Sequence, residues 1–395
     1  MIYRFGEYAL APLTYDLQRN GESVPVEPQV FGVLNLLIEN HDRVVSRDEL
    51  IDAVWDGRIV SDATLSSRIS AARTAVGDTG RDQNIIRTVP RRGFRFVAPV
   101  TVDGTPDTPS AEPPESRQTI RYCTTGDGVQ LAYSFAGEGP PLIKVANWLN
   151  HLEYDWVSPM WAPLFHDFTR HHQLLRYDSR GVGISDWDVD EFSFERLVED
   201  FETVIDASGL DTFALLGISQ GAAIAIDYAA RNPDRVTHLV LWGGFARGRR
   251  QRGNQEDYAE SEAFITLMRQ GWGQETSPFR KMFASLYLPD ANDEQIKWWT
   301  DMQRTATSPE NAVRLRETID DIDVAEQLAQ VQTPTLILHS EREAVAPLSE
   351  ARFMAARIPN AKFVALDSAN HLVMHQEPEW RRAVSEIEAF LSSES

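Results

Sequence analysis

Apolar positions in the first hundred residues follow two different periods. Short alternating runs between residues 3 and 26 predict β-strands. Apolar residues then recur three and four positions apart in three segments, which predicts amphipathic helices that begin near Pro28, Ser46 and Ser61. Residues 85–97 alternate again and predict a closing hairpin. The first hundred residues should therefore form an α+β domain in the order strands, three helices, hairpin.

From residue 119 onward, apolar strands alternate with helical segments, which predicts an α/β domain with a doubly wound, mostly parallel sheet. Residues 101–118 contain four prolines and almost no apolar residue, so we expect an extended linker there. The predicted organisation is an N-terminal domain at residues 1–100, a Pro-rich linker at 101–118 and a larger domain at 119–395.

Residues 245–332 separate two predicted strands of the larger domain and are too many for a simple loop, so they predict a helical lid. The segment is rich in large apolar side chains, which either form the core of the lid or, together, enclose an apolar ligand pocket. The candidate pocket residues are Trp272, Trp298, Trp299 and Met302. Four arginines open the segment at Arg247, Arg249, Arg250 and Arg252, and we interpret them as a solvated edge rather than an anion site.

The stretch with the clearest chemistry is Gly217-Ile218-Ser219-Gln220-Gly221. An apolar run precedes it and a helix-forming run follows, which predicts a strand, a sharp turn and a helix. This is the arrangement of a nucleophile elbow, in which a serine projects from a strained turn and glycines let the strand and the helix approach. We therefore predict that Ser219 is a nucleophile.

A serine at an elbow needs an acid and a histidine later in the chain, in that order. His371 follows the predicted strand at residues 362–366, where a general base can reach the elbow. Two glutamates follow the preceding strand, and either Glu343 or Glu341 could orient the imidazole. We favour Glu343.

These features resemble the α/β-hydrolase family from about residue 119 to the C-terminus. A second matching stretch, residues 177–186, reads Tyr-Asp-Ser-Arg-Gly-Val-Gly-Ile-Ser-Asp and corresponds to the family's Asp-x-Arg-Gly-x-Gly-x-Ser. The resemblance implies a catalytic triad of Ser219, Glu343 and His371 and an oxyanion hole built from the backbone N–H groups of Trp148 and Gln220. The family's His-Gly pair is Ala146-Asn147 here, and we expect Asn147 to supply a positive φ.

The first hundred residues resemble the OmpR/PhoB-type winged helix-turn-helix domain, on Val45–Leu50, Val54-Trp55, Ile86–Val89 and Gly93–Phe96. The resemblance implies that the third helix enters the major groove of double-stranded DNA. The implied contacts are Thr64, Ser67 and Arg68 to base edges, and Arg73, Arg91 and Arg92 to phosphates or the minor groove. The arginines could instead be a solvated face, and Arg87 and Arg95 could be structural.

Charge is distributed unevenly along the chain. The net charge is −21, but residues 1–100 carry twelve arginines and thirteen acids, a net −1, which leaves −20 for the rest. Between Arg58 and Arg95, eight arginines face three aspartates. A basic strip within an acidic protein favours one polyanion-binding region, in the N-terminal domain.

Cys123 is the single cysteine, which excludes an internal disulfide and suits a reducing compartment. The chain has no signal-like start and no apolar run that could span a membrane, so we expect a cytoplasmic protein without a membrane partner. The sequence suggests no metal site and no cofactor.

A DNA-binding domain joined to a ligand-enclosing domain predicts a one-component transcriptional regulator. The larger domain would bind a small apolar ester, lactone or amide. Two mechanisms are open: the domain hydrolyses the bound ligand, or it only binds it. We favour binding with slow or no turnover. Operators are often two-fold, so we expect a homodimer. The alternative is a serine hydrolase whose N-terminal domain is an accessory module.

Overall fold

The structure is a computed structural model that describes residues 2–11, 16–20, 22–24, 26–41, 44–55, 62–89, 92–103, 118–272 and 278–393. The chain divides into two compact units, Met1–Ala111 and Glu112–Ser395. Each unit has a hydrophobic core of its own. Most of the predicted linker, residues 104–117, lies outside the described residues.

The N-terminal unit contains an antiparallel five-stranded sheet and a separate hairpin. In chain order the strands are β1 (Ile2–Phe5), β2 (Tyr8–Ala11), β3 (Asp16–Arg19), β4 (Glu22–Ser23), β5 (Ile86–Val89), β6 (Gly93–Phe96) and β7 (Thr101–Asp103). The sheet order is β4-β3-β2-β1-β7, and β5 pairs with β6 in the hairpin. We had expected Thr101–Asp103 to belong to the linker; they instead pair with β1 and extend the sheet.

Three helices lie between β4 and β5: α1 (Pro28–Glu39), α2 (Arg47–Trp55) and α3 (Asp62–Ala75). Pro28 begins α1, as predicted, because proline needs no hydrogen-bond acceptor in a first turn. Ser46 precedes α2 and forms a reciprocal capping box with Glu49: Ser46 N–H donates to Glu49 Oε2 at 2.7 Å, and Glu49 N–H donates to Ser46 Oγ at 3.2 Å. Apolar residues at helical spacing, such as Leu65 and Ile69 of α3, are buried.

The C-terminal unit is built on a sheet of eight strands: β8 (Thr119–Thr124), β9 (Gln130–Ala136), β10 (Pro141–Lys144), β11 (Gln173–Tyr177), β12 (Phe213–Ile218), β13 (Val236–Trp242), β14 (Thr335–Ser340) and β15 (Lys362–Leu366). Their order is β15-β14-β13-β12-β10-β11-β9-β8. In this described sheet β9 runs antiparallel to both of its neighbours, β8 and β11, and the other neighbouring strands pair in parallel. The fold class is the doubly wound, mostly parallel α/β architecture that the alternation predicted.

Helices connect these strands and cover the sheet: α4 (Leu152–Trp156), α5 (Ala162–Thr169), α6 (Phe194–Ser208), α7 (Gly221–Arg231), α12 (Leu348–Ala355) and α13 (Pro378–Leu391). Every residue of β12 is buried, as expected for a central strand covered on both faces. At about 1.5–3 kcal/mol for each large apolar side chain buried, this core dominates the stability of the unit.

The segment between β13 and β14, here called the lid, contains α8 (Gln255–Gly271), α9 (Pro278–Tyr287), α10 (Asp293–Ala306) and α11 (Pro309–Asp320). Helix α10 begins with a second capping box, between Asn292 and Gln295. In the described part of the chain, no helix is both long and apolar enough to cross a membrane.

Candidate functional site

The turn between β12 and α7 places Ser219 at its apex, with a positive φ of 53°. Two glycines allow this geometry. A Cβ on Gly217 would lie 2.7 Å from Ala222 Cα, and a Cβ on Gly221 would lie 2.8 Å from the carbonyl oxygen of Ala146. Any larger residue at either position would push the helix or the neighbouring strand away, which explains the spacing of the motif.

His371 lies after β15, as the sequence predicts, and a glutamate orients its ring. Its Nδ1 is 2.7 Å from Glu343 Oε2, and both side chains are buried. The same carboxylate oxygen accepts the backbone N–H groups of Val345 and Ala346 at 3.0 and 3.1 Å. Glu341, the alternative acid, is exposed, and the described hydrogen bond of His371 Nδ1 to a carboxylate is to Glu343. The fold therefore brings Glu343 to His371, across 28 residues of sequence.

A second imidazole, which the sequence did not suggest, faces the other oxygen of Glu343. His339 is fully buried at the end of β14, and its Nε2 lies 3.0 Å from Glu343 Oε1 and 3.0 Å from the carbonyl oxygen of Ala346. Burial alone would raise the pKa of Glu343, but the adjacent His371 and His339 lower it to about 2. The carboxylate is therefore ionised over the ordinary pH range and favours an N–H on His371 Nδ1. His339 precedes Glu343 by four residues, so that spacing was the available signal.

The other ring nitrogen of His371, Nε2, is available for proton transfer. Nε2 is buried and has no hydrogen-bond partner among the described residues, so it makes no hydrogen bond to the Ser219 hydroxyl in this structure. Catalytic hydrogen bonds are often loose without a substrate and tighten when one binds. With Nδ1 held by the acid, Nε2 is the nitrogen that would take a proton from the serine.

The two predicted oxyanion donors, the backbone N–H groups of Trp148 and Gln220, donate no hydrogen bond to any described residue. Our expectation for the turn beside them was wrong in one respect: the positive φ of 57° falls at Leu149, not at Asn147. Asn147 instead braces the turn, since its side chain accepts a hydrogen bond from Lys144 and donates one to the carbonyl oxygen of Trp148. A leucine in this conformation is strained, and the surrounding contacts must hold it.

Asp178, from the stretch at 177–186, supplies much of that support. Its carboxylate accepts the backbone N–H groups of Leu152 and Ile184 and a side-chain hydrogen bond from Asn150. Gly183 has a φ of 62°, and a Cβ there would lie 2.0 Å from Asp178 Oδ2. The motif thus ties the turn that carries Trp148 to the loop after β11.

Behind this turn lies a buried group of charges that sequence reasoning missed, formed by Lys144, Asp155, Arg176 and Asp178. Burial lowers the pKa of Lys144 and raises the pKa of Asp155, because each charged form loses hydration. Lys144 stands over the ring of Trp161, 4.9 Å from its centroid, and Arg176 stands over Phe165 at 4.0 Å. Basic residues within otherwise apolar strands were the signal in the sequence.

Aromatic rings from the lid cover the site. We call Trp148, Trp272, Phe283, Tyr287 and Trp299 the aromatic wall. Trp148 contacts three of the others, with ring centroids 5.6 Å from Trp272, 5.1 Å from Phe283 and 6.1 Å from Tyr287. Tyr287 stands edge-on to the His371 ring at 5.5 Å and contacts Trp299 at 5.4 Å.

The candidate pocket residues therefore occupy different places. Trp272 and Trp299 belong to the aromatic wall, next to the site. Trp298 stacks instead on Tyr154, at 5.1 Å, and Met302 is fully buried in the core of the unit.

The arginine run at the start of the lid is not a uniformly solvated edge, contrary to our expectation. Arg247 pairs with Glu350 at 2.6 Å, and Arg250 pairs with Glu262 at 2.7 Å. Arg252 keeps only 6% of its side chain exposed. Arg249 is buried.

In the N-terminal unit, the outward face of α3 carries hydroxyl side chains. Ser67 is exposed and Thr64 is partly exposed. Arg68 is engaged within the unit, since it donates to Glu27 at 2.6 Å and to Gln29 at 3.0 Å. A base contact by Arg68 therefore requires that it first leave these partners.

Arg73 does not face outward. It is buried, and it donates to the carbonyl oxygen of Ile86 at 3.0 Å and to Thr88 Oγ1 at 2.9 Å. It connects α3 to the hairpin, which removes it from the candidates for phosphate contact. Asp78 holds the same region by accepting four backbone N–H groups, and these hydrogen bonds lower its pKa against the effect of burial.

The hairpin presents arginines to solvent. Arg92 is exposed near its tip, and Arg91 lies outside the described residues. Arg87 and Arg95, which we had considered structural, are exposed and directly opposite each other in the β5–β6 register. Two like charges placed opposite each other destabilise a hairpin, so this pair suits a surface that meets an anion. Among the described residues, no group of three His, Cys, Asp or Glu side chains could hold a metal ion.

Comparison with known proteins agrees with this division. Residues 149–378 match the alpha/beta hydrolase fold family, and residues 21–96 match the family described as Transcriptional regulatory protein, C terminal. The AB hydrolase superfamily protein YisY of Bacillus subtilis (strain 168) is 24% identical over 260 residues, which cover 65% of this chain and 94% of that protein. The Transcriptional activator CadC of Escherichia coli (strain K12) is 35% identical over 100 residues, which cover 25% of this chain and 20% of CadC.

Among solved structures, an esterase from Exiguobacterium antarcticum superposes with a TM-score of 0.59 at 20% identity, over 69% of this chain and 99% of the esterase. At that identity the likeness concerns the fold.

Proposed function

Because the chain belongs to the α/β-hydrolase fold family and its N-terminal unit is a DNA-binding domain of the OmpR/PhoB type, we propose that it is a one-component transcriptional regulator with a hydrolase-like ligand sensor. The larger unit binds a small ester, lactone or amide, and the bound ligand changes DNA binding. The observation that carries this proposal is the presence, in one chain, of a winged helix-turn-helix and of a larger unit with Ser219 in a strained turn, a buried Glu343–His371 pair and a helical lid.

Double-stranded DNA is bound by the N-terminal unit. Thr64 and Ser67 of α3 meet base edges, and Arg92 of the hairpin meets phosphate or the minor groove. The exposed pair Arg87 and Arg95 adds two phosphate contacts that the sequence did not suggest. Arg91 stays a prediction. Phosphate contacts position the domain, whereas the hydroxyl residues of α3 read the sequence.

The ligand side of the proposal uses the residues around Ser219. If chemistry occurs, Ser219 Oγ attacks the acyl carbon while His371 Nε2 takes its proton and later returns it to the leaving group. Glu343 fixes the imidazole and stabilises its protonated form. The N–H groups of Trp148 and Gln220 hold the oxyanion.

We favour binding with slow or no turnover. A regulator that rapidly destroys its signal would switch only briefly, whereas binding alone can shift the population of two conformations. Trp272 and Trp299 of the aromatic wall line the ligand site, and their lid helices are the parts a ligand would move. A homodimer through the larger unit would pass that movement to two DNA-binding units on a two-fold operator.

The test uses the full chain in two measurements. Selection from a randomised duplex library should yield a preferred sequence, bound with an affinity that falls steeply as salt rises. A fluorophosphonate probe should label the wild type, and Ser219→Ala should abolish the labelling. Absence of any sequence preference would contradict the regulator, and absence of labelling would make the larger unit a binder without an assembled nucleophile.

The second candidate is a serine hydrolase with an accessory N-terminal domain, and the observation in its favour is the buried Glu343–His371 pair. The two candidates differ in which substitutions abolish regulation. In a reporter assay with the selected DNA site, a binding sensor should keep its ligand response in Ser219→Ala, whereas a catalytic device should lose it.

A further inference from the structure

The lid holds one buried arginine that forms no ion pair in the described part of the chain. Arg249, in a short 3-10 turn at Arg249–Gln251, is only 5% exposed. Its neighbours Arg247 and Arg250 form close ion pairs, but the Arg249 guanidinium forms no hydrogen bond or ion pair with any described residue. It stands over the ring of Phe264, whose centroid is 5.4 Å away.

A second buried guanidinium lies beside it. Arg316 of α11 is 5% exposed and stands over the same Phe264 ring at 5.3 Å. Its charge is matched, because it pairs with the buried Asp320. Asp320 also accepts a hydrogen bond from Ser261 at 2.6 Å, so each of its two oxygens has a partner. Arg316 therefore has its own ion pair, whereas Arg249 has neither an ion pair nor a side-chain hydrogen bond among the described residues. Burial and then Arg316 lower the pKa of Arg249, whereas Tyr287 and Asp320 act in the opposite direction.

Arg316 connects this pair of arginines to the aromatic wall. Arg316 stands 5.7 Å from the ring centroid of Trp148, whose backbone N–H is an oxyanion donor in our proposal. Its Nη1 is 3.5 Å from the hydroxyl of Tyr287, and Tyr287 contacts the His371 ring. A ligand whose acyl group lies at Ser219 would therefore extend towards the two arginines.

Three donors of the aromatic wall and of Arg316 lack acceptors. The indole nitrogens of Trp148 and Trp272 and the Nε of Arg316 are buried without a hydrogen-bond partner among the described residues. A buried donor that is left unpaired costs about 1–3 kcal/mol, and an unpaired buried charge costs more. One anionic acceptor would satisfy several of them at once.

We propose that the ligand carries a carboxylate, which Arg249 and Arg316 bind, so that the natural ligand is an ester, lactone or amide that also bears a free acid group. A carboxylate fits because its single negative charge would pair with the one guanidinium that has no ion pair, and its two oxygens match a planar guanidinium. This inference rests on the proposed ligand-binding function, and it amends our expectation of a wholly apolar ligand.

The test compares matched probes on the full chain by thermal unfolding of the hydrolase-like unit. The probes are the monoethyl esters of straight-chain dicarboxylic acids, from malonic to suberic, and the corresponding ethyl ester amides. They differ only in whether the far end is an anion or a neutral amide. We expect the best acid to stabilise the wild type at a concentration about ten- to a hundredfold lower than its amide.

Arg249→Met removes the charge but keeps the length of the side chain. We expect it to abolish the preference for the acid. Without ligand it should raise the melting temperature by about 2–4 °C, because a buried, unmatched charge is replaced by an apolar group. The matched control is Arg250→Met in the same turn, which removes a paired, partly exposed arginine and should keep the preference for the acid.

Three outcomes would overturn the inference: equal responses to acids and amides, no response to any acid at millimolar concentration, or a lower melting temperature in Arg249→Met, which would make the arginine a structural residue. A response to amides alone, together with sequence-selective DNA binding, would leave the proposed function standing. Loss of DNA selectivity would contradict the regulator without bearing on Arg249.

Discussion

Replacement of Glu343 by glutamine tests the site most directly, because the structure gives each oxygen of the carboxylate a different task. Oε2 accepts from His371 Nδ1 and from two backbone N–H groups, and Oε1 faces His339 Nε2 at 3.0 Å. Glutamine has a single oxygen. If that oxygen takes the position of Oε2, the NH₂ group of the glutamine takes the position of Oε1 and meets the N–H of His339. If the amide is reversed, the NH₂ group meets His371 and the two backbone N–H donors.

Either orientation places donor against donor, so we expect two losses. The pKa of Glu343 is lowered from 4.5 to about 2, which corresponds to about 3 kcal/mol of favourable interaction for the ionised form. The free energy of unfolding should fall by about 2–4 kcal/mol in Glu343→Gln. Labelling of Ser219 by a fluorophosphonate should slow by about 10³-fold or more, because the imidazole loses the partner that sets its tautomer.

Both effects are measured on the full chain, by urea unfolding and by the time course of labelling. Glu341→Gln is the matched control, since Glu341 is exposed and lies two residues away. It should change neither quantity appreciably. DNA affinity without ligand should be equal in both variants and the wild type. Labelling of Glu343→Gln at the wild-type rate would refute the assignment of the acid.

Three further predictions concern the hairpin arginines, Gly183 and the pH dependence of Glu343. The double variant Arg87→Ala/Arg95→Ala should weaken binding to all duplex sequences alike and reduce the slope of log affinity against log salt by about 2, as titrations at several salt concentrations would show. Gly183→Ala should destabilise the larger unit and slow labelling of Ser219, because its Cβ would meet Asp178 at 2.0 Å; a crystal structure with the turn unchanged would contradict this. The contribution of Glu343 to the free energy of unfolding should be complete above pH 4.5 and should be lost as the pH falls towards 2, because the pKa of Glu343 is lower in the folded state than in the unfolded state. Urea denaturation at several pH values across that range measures this contribution.

The sequence by itself determined the features that depend on neighbouring residues. The elbow at Ser219 is such a feature: the positive φ and the two flanking glycines are properties of five consecutive residues. Helix starts at Pro28 and Ser46 follow from proline geometry and from a capping box that spans four positions. The alternation of strands and helices predicted the parallel sheet, because each connection requires a crossover.

Only the tertiary structure decided the features that depend on which distant groups meet. Both glutamates follow the same strand, and Glu343 rather than Glu341 is the acid partner because the fold brings its carboxylate to His371. The resemblance implied that Arg73 contacts DNA, but in the folded unit its side chain donates its hydrogen bonds to the hairpin.

The arginine run shows the same limit. Four cations within six residues favour a solvated edge, yet the backbone turn at 249 directs one of them into the lid while Arg247 and Arg250 pair with acids from other elements. The burial of a side chain and its ion pairs depend on groups that lie far apart in sequence. The local sequence determines the backbone geometry of a turn or a helix start. The charge state and the partners of a side chain are determined only when the chain has folded around it.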